Sequence, residues 1–239
     1  MKCKFYILNK DYVDMLRSID YRIPELKTDQ SDFAGRIFIG ILINTADPNI
    51  GYFIPLSSSV KKDINTGKII YSSTDVVLPD LWSNNDDDTL GKLKFNNSIP
   101  ILKKHIPTLT TTTITFNTSD PVKISKHWKF LRKQIRVINH HQDTQKLIAI
   151  KAQKYILHYK DNLKSQHLSV DLQFLINKVV KPDLYWTKDT NETKKQLTNI
   201  KQEFDQKPQA EEKEYYQWLN SKKANNSKNN SKNNNRGRS

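Results

Sequence analysis

Two apolar segments in the first quarter of the chain constrain its fold more than any other feature. Residues 36–43 read RIFIGILI and residues 51–57 read GYFIPLS. Ile, Phe and Leu at this density favour buried β-strands, and the Asp-Pro and Asn residues between the two segments are turn formers. The sequence therefore predicts a β-hairpin, with a cluster of hydroxyl and lysine side chains at the end of its second strand.

Other segments extend this pattern into a chain of mixed strands and helices. Residues 2–9 have the pattern of a first strand, and Asn9 is a suitable N-cap for a helix that follows directly. Further strands are predicted at residues 69–71, 74–78, 90–95, 99–102 and 111–116, with an Asn96-Asn97 turn between the segments at 90–95 and 99–102. Helices are predicted at residues 144–161, 170–181 and 191–206.

A long helix is predicted to begin at Asp120-Pro121, since Asp is a good N-cap and Pro suits the first turn. One set of apolar residues recurs at spacings of three and four, which predicts a buried face: Ile124, Trp128, Leu131, Ile135 and Ile138. A second set repeats on another face and is entirely basic: Lys126, Lys129, Lys133 and Arg136, with Arg132 beside them. Residues 121–142 contain no acid.

This basic helix face has two explanations. Like charges destabilise a helix, and a polyanion would offset that loss when its phosphates release bound counterions. The alternative is a face that is simply solvated. Solvated helix faces usually mix the two signs of charge, so we predict that this face lines an RNA-binding groove.

The chain as a whole is basic, with a formal net charge of +14, which favours a polyanion partner, most often nucleic acid. A basic protein without such a partner is the alternative. The one cysteine, Cys3, permits no disulfide within the chain and fits a reducing compartment. No signal peptide or membrane-spanning apolar run is recognisable, so we expect a cytoplasmic protein with no membrane association.

The chain is predicted to divide into a main domain and two C-terminal parts. Residues 1–181 would form the main domain and residues 182–223 a helical extension. Residues 224–239 have no apolar side chain after Ala224, so they are predicted to be a disordered basic tail.

Metal and cofactor chemistry find little support in the residues. No His-x-x-x-His or Cys-x-x-Cys spacing occurs, and a phosphate-binding glycine loop is absent. The Asp86-Asp87-Asp88 segment could bind a hard cation but also fits a solvated loop. His140-His141 follows a helix end, where a cation complements the helix dipole, and this structural role outweighs a catalytic one. We therefore predict no metal site and no cofactor.

The remaining candidates surround the hairpin: Arg36, Ser57, Ser58, Lys61 and Lys62. They suit a ribonuclease in which the RNA 2′-hydroxyl attacks the adjacent phosphorus, because the protein then needs only proton transfer and charge stabilisation. Arg36 and Lys61 would stabilise charge, and the two serines would position the phosphate. An ordinary turn at residues 57–59, followed by lysines that keep a sheet edge soluble, explains the same residues equally well.

Several short motifs follow one another in a characteristic order over residues 2–160. They are Lys4-Phe5-Tyr6 with Tyr12 and Leu16, Arg36-Ile37-Phe38-Ile39-Gly40-Ile41, Tyr52-Phe53-Ile54-Pro55-Leu56-Ser57-Ser58, Leu90-Gly91-Lys92-Leu93, Asn96-Asn97-Ser98-Ile99-Pro100-Ile101, and Leu131 with Lys133-Gln134. This ordered set resembles the ToxN/AbiQ family, the protein toxins of type III toxin–antitoxin systems.

The resemblance implies an α+β fold with a compact, strongly bent antiparallel sheet, similar to the MazF/Kid toxins, and with packed helices. It also implies a metal-independent endoribonuclease that leaves 2′,3′-cyclic phosphate ends on cellular or phage RNA. The implied partner is a small antitoxin RNA with tandem repeats, which folds as a pseudoknot, inhibits the toxin and joins it in an RNA-mediated protein–RNA oligomer. The implied biological role is abortive phage defence.

Matched onto this sequence, the family's basic residue before the Phe-Ile-Gly strand is Arg36, and its hydroxyl pair is Ser57 and Ser58. The following lysine is Lys61 or Lys62. Family members often have Ser-Pro-Lys, whereas Ser59-Val60 follows Ser58 here, so the match leaves both lysines open. A non-catalytic RNA-binding protein is the alternative function.

Overall fold

The computed structural model describes residues 3–26, 36–41, 47–58, 63–66, 69–70, 74–85, 88–157, 169–187 and 189–206. These residues form an α+β fold around a seven-stranded antiparallel sheet. Its strands are β1 Phe5–Leu8, β2 Ile37–Ile41, β3 Ile50–Ser57, β4 Asp75–Pro79, β5 Thr89–Lys94, β6 Ile99–Leu102 and β7 Thr110–Thr111. The helices are α1 Lys10–Ile19, α2 Ile106–Leu109, α3 Pro121–His140, α4 Gln142–Ala152, α5 Leu172–Leu175 and α6, residues 191–206.

Strand β3 is central to the sheet because one of its edges pairs with two strands, first β6 and then β5. Its other edge pairs with β2, which confirms the predicted hairpin. Residues 50–53 of β3 pair with β6, and Leu56 and Ser57 pair with β5. Strands β5 and β6 therefore pair with the same edge of β3 at successive positions. The Phe95–Asn97 turn between them is a 3-10 turn, which leads away from β5 rather than folding β6 back onto it.

Two strand predictions hold only in part. The β-branched run at residues 111–116 was predicted to be a strand, yet β7 contains only Thr110–Thr111. Residues 112–115 are mostly exposed, so they bury too little surface for their β propensity to decide the conformation. In the predicted strand at 69–71, Ile69 forms an isolated bridge and Tyr71 lies outside the described residues.

The helix starts follow the capping chemistry of the sequence. The Asn9 side chain accepts from the backbone N–H of Tyr12 at 3.0 Å, and Asp120 accepts from the N–H of Val122 at 2.8 Å. His141 caps α4 by accepting from the N–H of Thr144, which is a structural role. None of the helices in the described ranges is both long and apolar enough to span a membrane.

Helices α4 and α5 each continue as a π-helical turn, Gln153–Leu157 and Ile176–Val180. Both helices and their π-helical turns bury apolar side chains at helical spacing: Ile148, Ala152, Tyr155, Leu172, Leu175 and Val179.

Helix α3 is buried along only half of its length. Leu131 and Ile138 face the core as predicted, but Trp128 is 37% exposed, so its assignment to the buried face is wrong. The C-terminal half is held from two sides. The Gln134 side chain donates to the carbonyl of Leu90 in β5, and Asn139 exchanges two hydrogen bonds with the backbone of Cys3, just before β1. Residues 121–130 lie beyond these anchors and remain exposed or half-buried.

The buried carboxylate of Asp20 joins two segments that are far apart in the sequence. Asp20 ends α1 and is fully buried. Its oxygens accept from the Arg22 side chain at 2.8 and 2.9 Å and from the backbone N–H of Asp171 at 2.9 Å. Because Asp171 is itself the N-cap of α5, this carboxylate fixes α5 to the end of α1.

Helix α6 packs over the same corner. The Phe204 ring contacts Phe174 with centroids 5.3 Å apart, and the Arg22 guanidinium lies over Phe204 at 5.4 Å. Lys201 donates to the carbonyl of Ile19 at 3.1 Å. Helix α6 therefore contacts residues from both α1 and α5, although it lies in the segment predicted to be an extension.

We expect Asp20→Ala to lower the free energy of unfolding by about 3–5 kcal/mol, because the half-buried Arg22 charge and the Asp171 amide lose their acceptor. Urea denaturation measures the loss. Asp14→Ala is the matched control: Asp14 lies on the same helix, but its carboxylate forms an exposed pair with Lys10, so its removal should barely move the midpoint. Similar losses in both variants would contradict the role assigned to Asp20.

Candidate active site and basic surface

The candidate catalytic residues lie on neighbouring strands at the end of β3. Ser57 is directly opposite Lys92 of β5. The β2–β3 register pairs Phe38 with Pro55 and, continued by two residues, places Arg36 opposite Ser57. Directly opposed residues of antiparallel strands project from the same face of a sheet. By this extended register Arg36, Ser57 and Lys92 form one row, with Ser57 on β3, Lys92 on β5 and Arg36 just before β2.

The opposite face of these strands belongs to the core. Leu56, Leu93 and Val76 are paired across β3, β5 and β4, and all three are buried. Helices α3 and α4 contact β4. By strand alternation, Ser57 and Lys92 project from the face opposite Leu56 and Leu93.

Gly91 allows the strand end to adopt this geometry. Its φ of +113° lies in a region that L side chains rarely adopt, and a Cβ at this position would lie 2.3 Å from the backbone oxygen of Ser57. The β5 backbone therefore approaches the Ser57–Ser58 peptide more closely than any larger residue would permit. This close approach constrains the backbone from which the Ser57 and Ser58 side chains project.

The two serines differ in their access to a ligand. Ser57 is half-buried and Ser58 is exposed. Arg36 is half-buried, and burial lowers the pKa of its guanidinium, although arginine stays protonated in proteins. Among the described residues, no carboxylate pairs with Arg36.

Lys92 and Asp75 are site residues that the sequence analysis missed. The Lys92 ammonium lies 2.7 Å from the Asp75 carboxylate, and the two side chains are only 10% and 4% exposed. A lysine between apolar residues in a predicted buried strand was the available signal, because buried lysines are rare unless paired. Lys61 and Lys62, the two predicted lysines of the site, lie outside the described residues.

The basic face of α3 divides into two parts. Lys126, Lys129, Arg132 and Arg136 are exposed and Lys133 is half-buried. The Lys133 ammonium lies 3.1 Å from Asp80, and Lys133 and Arg136 both lie over the ring of Trp82, at 5.3 and 5.5 Å. The expectation of an unneutralised face is therefore wrong at Lys133, since the turn after β4 supplies the acid.

A metal site would need several His, Cys, Asp or Glu side chains close together in the described ranges. No group of three or more His, Cys, Asp or Glu side chains there is arranged to hold a metal ion. Asp86 and Asp87 of the predicted acidic loop lie outside these ranges. Their neighbour Asp88 accepts a hydrogen bond from Ser83 at 2.6 Å.

Comparison with known sequences identifies the chain's family. The sequence model of the family described as toxin ToxN of type III toxin–antitoxin systems matches residues 4–180. The chain belongs to this family. A curated relative, endoribonuclease ToxN of Bacillus thuringiensis subsp. kurstaki, is 35% identical over 103 residues, which cover 42% of this chain. The match spans 44% of that relative's length.

Solved structures from type III systems show a weaker similarity. The structure of AbiQ, a lactococcal anti-phage endoribonuclease, is 19% identical with a TM-score of 0.49, covering 78% of this chain and 99% of AbiQ. A bacterial type III toxin selectively inhibited by a non-coding RNA pseudoknot is 23% identical with a TM-score of 0.46, covering 64% of this chain and 77% of that one. The family assignment rests on the match to the family's sequence model.

We expect Gly91→Ala to lower the free energy of unfolding by about 2–4 kcal/mol, because the new methyl group meets a backbone oxygen in a strained conformation. Gly40→Ala is the matched control. Its Cβ would meet the ring atoms of Tyr6 at 2.7 Å and Phe53 at 3.2 Å, and rings at the ends of side chains can shift. Urea denaturation should therefore show the larger loss for Gly91→Ala; the reverse order would contradict the close approach described for β5.

Proposed function

We propose that this chain is an endoribonuclease toxin that cleaves RNA without a metal ion and is inhibited by a small RNA. The observation that carries the proposal is the row of Arg36, Ser57 and Lys92 beside the exposed Ser58. It combines cations and hydroxyls at one strand end, as cleavage by an RNA-supplied nucleophile requires. Family membership supports the same activity. The fold likeness to MazF/Kid toxins stays a prediction.

In the proposed reaction the 2′-oxygen of one ribose attacks the adjacent phosphorus. A bond forms between that oxygen and phosphorus, and the bond from phosphorus to the 5′-oxygen of the next nucleotide breaks. A general base accepts the proton of the 2′-hydroxyl, and a general acid donates a proton to the departing 5′-oxygen. The products are a 2′,3′-cyclic phosphate and a free 5′-hydroxyl. Negative charge builds on the pentavalent phosphorus, so fixed donors and cations around it lower the barrier.

Each described residue of the row has a proposed role in this reaction. Arg36 pairs with the scissile phosphate, because its charge has no carboxylate partner among the described residues. Ser58 donates its hydroxyl to a phosphate oxygen, and Ser57 supports it from the half-buried position. Lys92 adds a second cation, which Asp75 holds in place. Lys61 remains the proposed charge-stabilising lysine, with Lys62 as the alternative.

The basic face of α3 is proposed to bind RNA on a second surface. Helix α3 contacts β4 and β5, and its exposed cations lie on a different element from the catalytic row. A ligand that contacts both surfaces would be extended and polyanionic, which suits a folded RNA better than a small phosphate compound. Lys126, Lys129 and Arg132 are the cations most available to RNA. Lys133 and Arg136 lie over the Trp82 ring and would contact RNA only where that contact leaves them accessible.

The biological setting follows from the family. The proposed partner is a small antitoxin RNA with tandem repeats that covers both surfaces and assembles with the toxin into an RNA-mediated oligomer. Cellular or phage RNA would be the substrate once that RNA is lost, and the role would be phage defence in the cytoplasm. The basic segment 224–239, which lies outside the described residues, would add diffuse attraction to RNA.

We expect Ser58→Ala to lower the cleavage rate by about 10²–10³-fold, since removal of one transition-state donor costs about 3–4 kcal/mol. The rate is measured with purified protein and a long transcript, with the cleaved ends mapped. Ser18→Ala is the matched control, because the Ser18 hydroxyl bonds only the carbonyl of Met15 in its own helix at 2.7 Å. An unchanged rate in Ser58→Ala would remove Ser58 from the site.

Cleavage should persist in excess EDTA, and the upstream products should carry 2′,3′-cyclic phosphates. Both results follow from an RNA-supplied nucleophile, which needs no metal-bound water. Digestion of the products with a phosphatase that does not open cyclic phosphates, before and after mild acid, identifies these ends. Activity that disappears in EDTA and returns with magnesium would contradict the mechanism. RNA binding without any cleavage would instead support the alternative of a non-catalytic RNA-binding protein.

A further inference from the structure

The N-terminal half of α3 carries an exposed aromatic side chain that the cleavage chemistry does not use. Trp128 is 37% exposed, and lysine and arginine side chains flank it along the helix. Its ring packs edge-on against Phe116 with centroids 5.3 Å apart, and Phe116 stacks on His127 at 5.7 Å. These contacts restrict the orientation of the indole, so it offers a flat face in a defined position.

Two open grooves meet at Trp128. One has a volume of about 410 Å³ and the other about 250 Å³. Trp128 and Arg132 line both of them. The larger groove also contains an ammonium group and two hydroxyls, from Lys129, Ser119 and Ser125. Its lining includes no carboxylate. An aromatic face therefore alternates with cations and hydroxyls along an acid-free surface.

We propose that Trp128 stacks on an unpaired base of single-stranded RNA, with Lys129 and Arg132 on the flanking phosphates. This inference rests on the proposed function and narrows it to a segment of RNA that is not base-paired. Single-stranded nucleic acids are bound by aromatic platforms in basic grooves, because every base has a face that can stack. A duplex keeps its base faces within its own stack and cannot use such a platform.

The other exposed tryptophan beside α3 is arranged differently. Trp82 is 44% exposed, but Lys133 and Arg136 both lie over its ring. Its aromatic surface is therefore already engaged in cation–π contacts. Trp128, by contrast, contacts the Phe116 ring and lines two open grooves.

The test measures binding of the full-length protein to two short fluorescent probes. The first is a 2′-O-methyl oligoadenylate, which lacks the 2′-hydroxyl needed for cleavage. The second has the same backbone with abasic positions. The unaltered protein should bind the abasic probe roughly 5- to 150-fold more weakly, the range expected for one stacked base. Trp128→Ala should bind the first probe more weakly by a similar factor and should no longer distinguish the two probes.

Two further variants separate stacking from general effects. Trp128→Phe keeps an aromatic face and should retain most of the affinity for the oligoadenylate. Trp186→Ala is the matched control: Trp186 is 45% exposed but packs with His105 and Tyr185 in another cluster, so its removal should leave binding unchanged. Because the abasic probe leaves the protein unaltered, its result does not depend on the folding of any variant.

The outcomes distinguish this inference from the proposed function. If Trp128→Ala binds both probes like the unaltered protein while Ser58-dependent cleavage persists, stacking is wrong and the cleavage mechanism stands. If the unaltered protein binds the two probes equally, the stacking role is also wrong. If a blunt RNA duplex binds as tightly as the oligoadenylate and is equally weakened by Trp128→Ala, the preference for single strands is overturned. Failure of the unaltered protein to bind any RNA would overturn both proposals.

Discussion

The pairing of one edge of β3 with two successive partners is the constraint on which the rest of the structure depends. Residues 50–53 pair with β6, whereas the last two residues of the strand turn to β5. That change places Ser57 opposite Lys92, at the end of β3. The same strand end has a close backbone approach at Gly91 that a side chain would obstruct. The candidate site therefore follows from this change of partner, and its backbone depends on a glycine that carries no chemistry itself.

The buried and half-buried charged side chains of the described residues differ in whether they have a partner of opposite charge. Asp20 and Asp75 each lose their contact with water and each gain a cation, Arg22 and Lys92, which keeps the loss of solvation tolerable. Arg36 is half-buried with no such partner in the described part of the chain. Among the described residues, the paired buried charges hold helices and strands together, whereas Arg36, near Ser57, has no carboxylate partner. An unpaired, partly desolvated guanidinium is well suited to a phosphate.

Local signals in the sequence predicted much of the fold. The β2–β3 hairpin and the caps at Asn9 and Asp120 depend on neighbouring residues, and all were predicted correctly. The salt bridges of the site were not predicted, because Lys92 and Asp75 are 17 positions apart and Lys133 and Asp80 are 53 apart. Such pairs depend on strand register and helix placement. The exposure of Trp128 was missed for the same reason. Helical periodicity locates the apolar face of a helix, but it does not show how far along the helix the rest of the protein covers that face.

The contact between Asp20 and Asp171 has a consequence for the order in which the protein matures. The two residues are 151 positions apart, and a ribosome adding about 5–20 residues per second needs roughly 8–30 s to make the intervening chain. Throughout that interval the carboxylate at the end of α1 lacks the amide that later covers it, and Phe204 of α6 is made later still. The nascent chain therefore carries the residues of the candidate site well before the corner that secures α1 is closed. This corner of the fold closes only after residue 204 has been made.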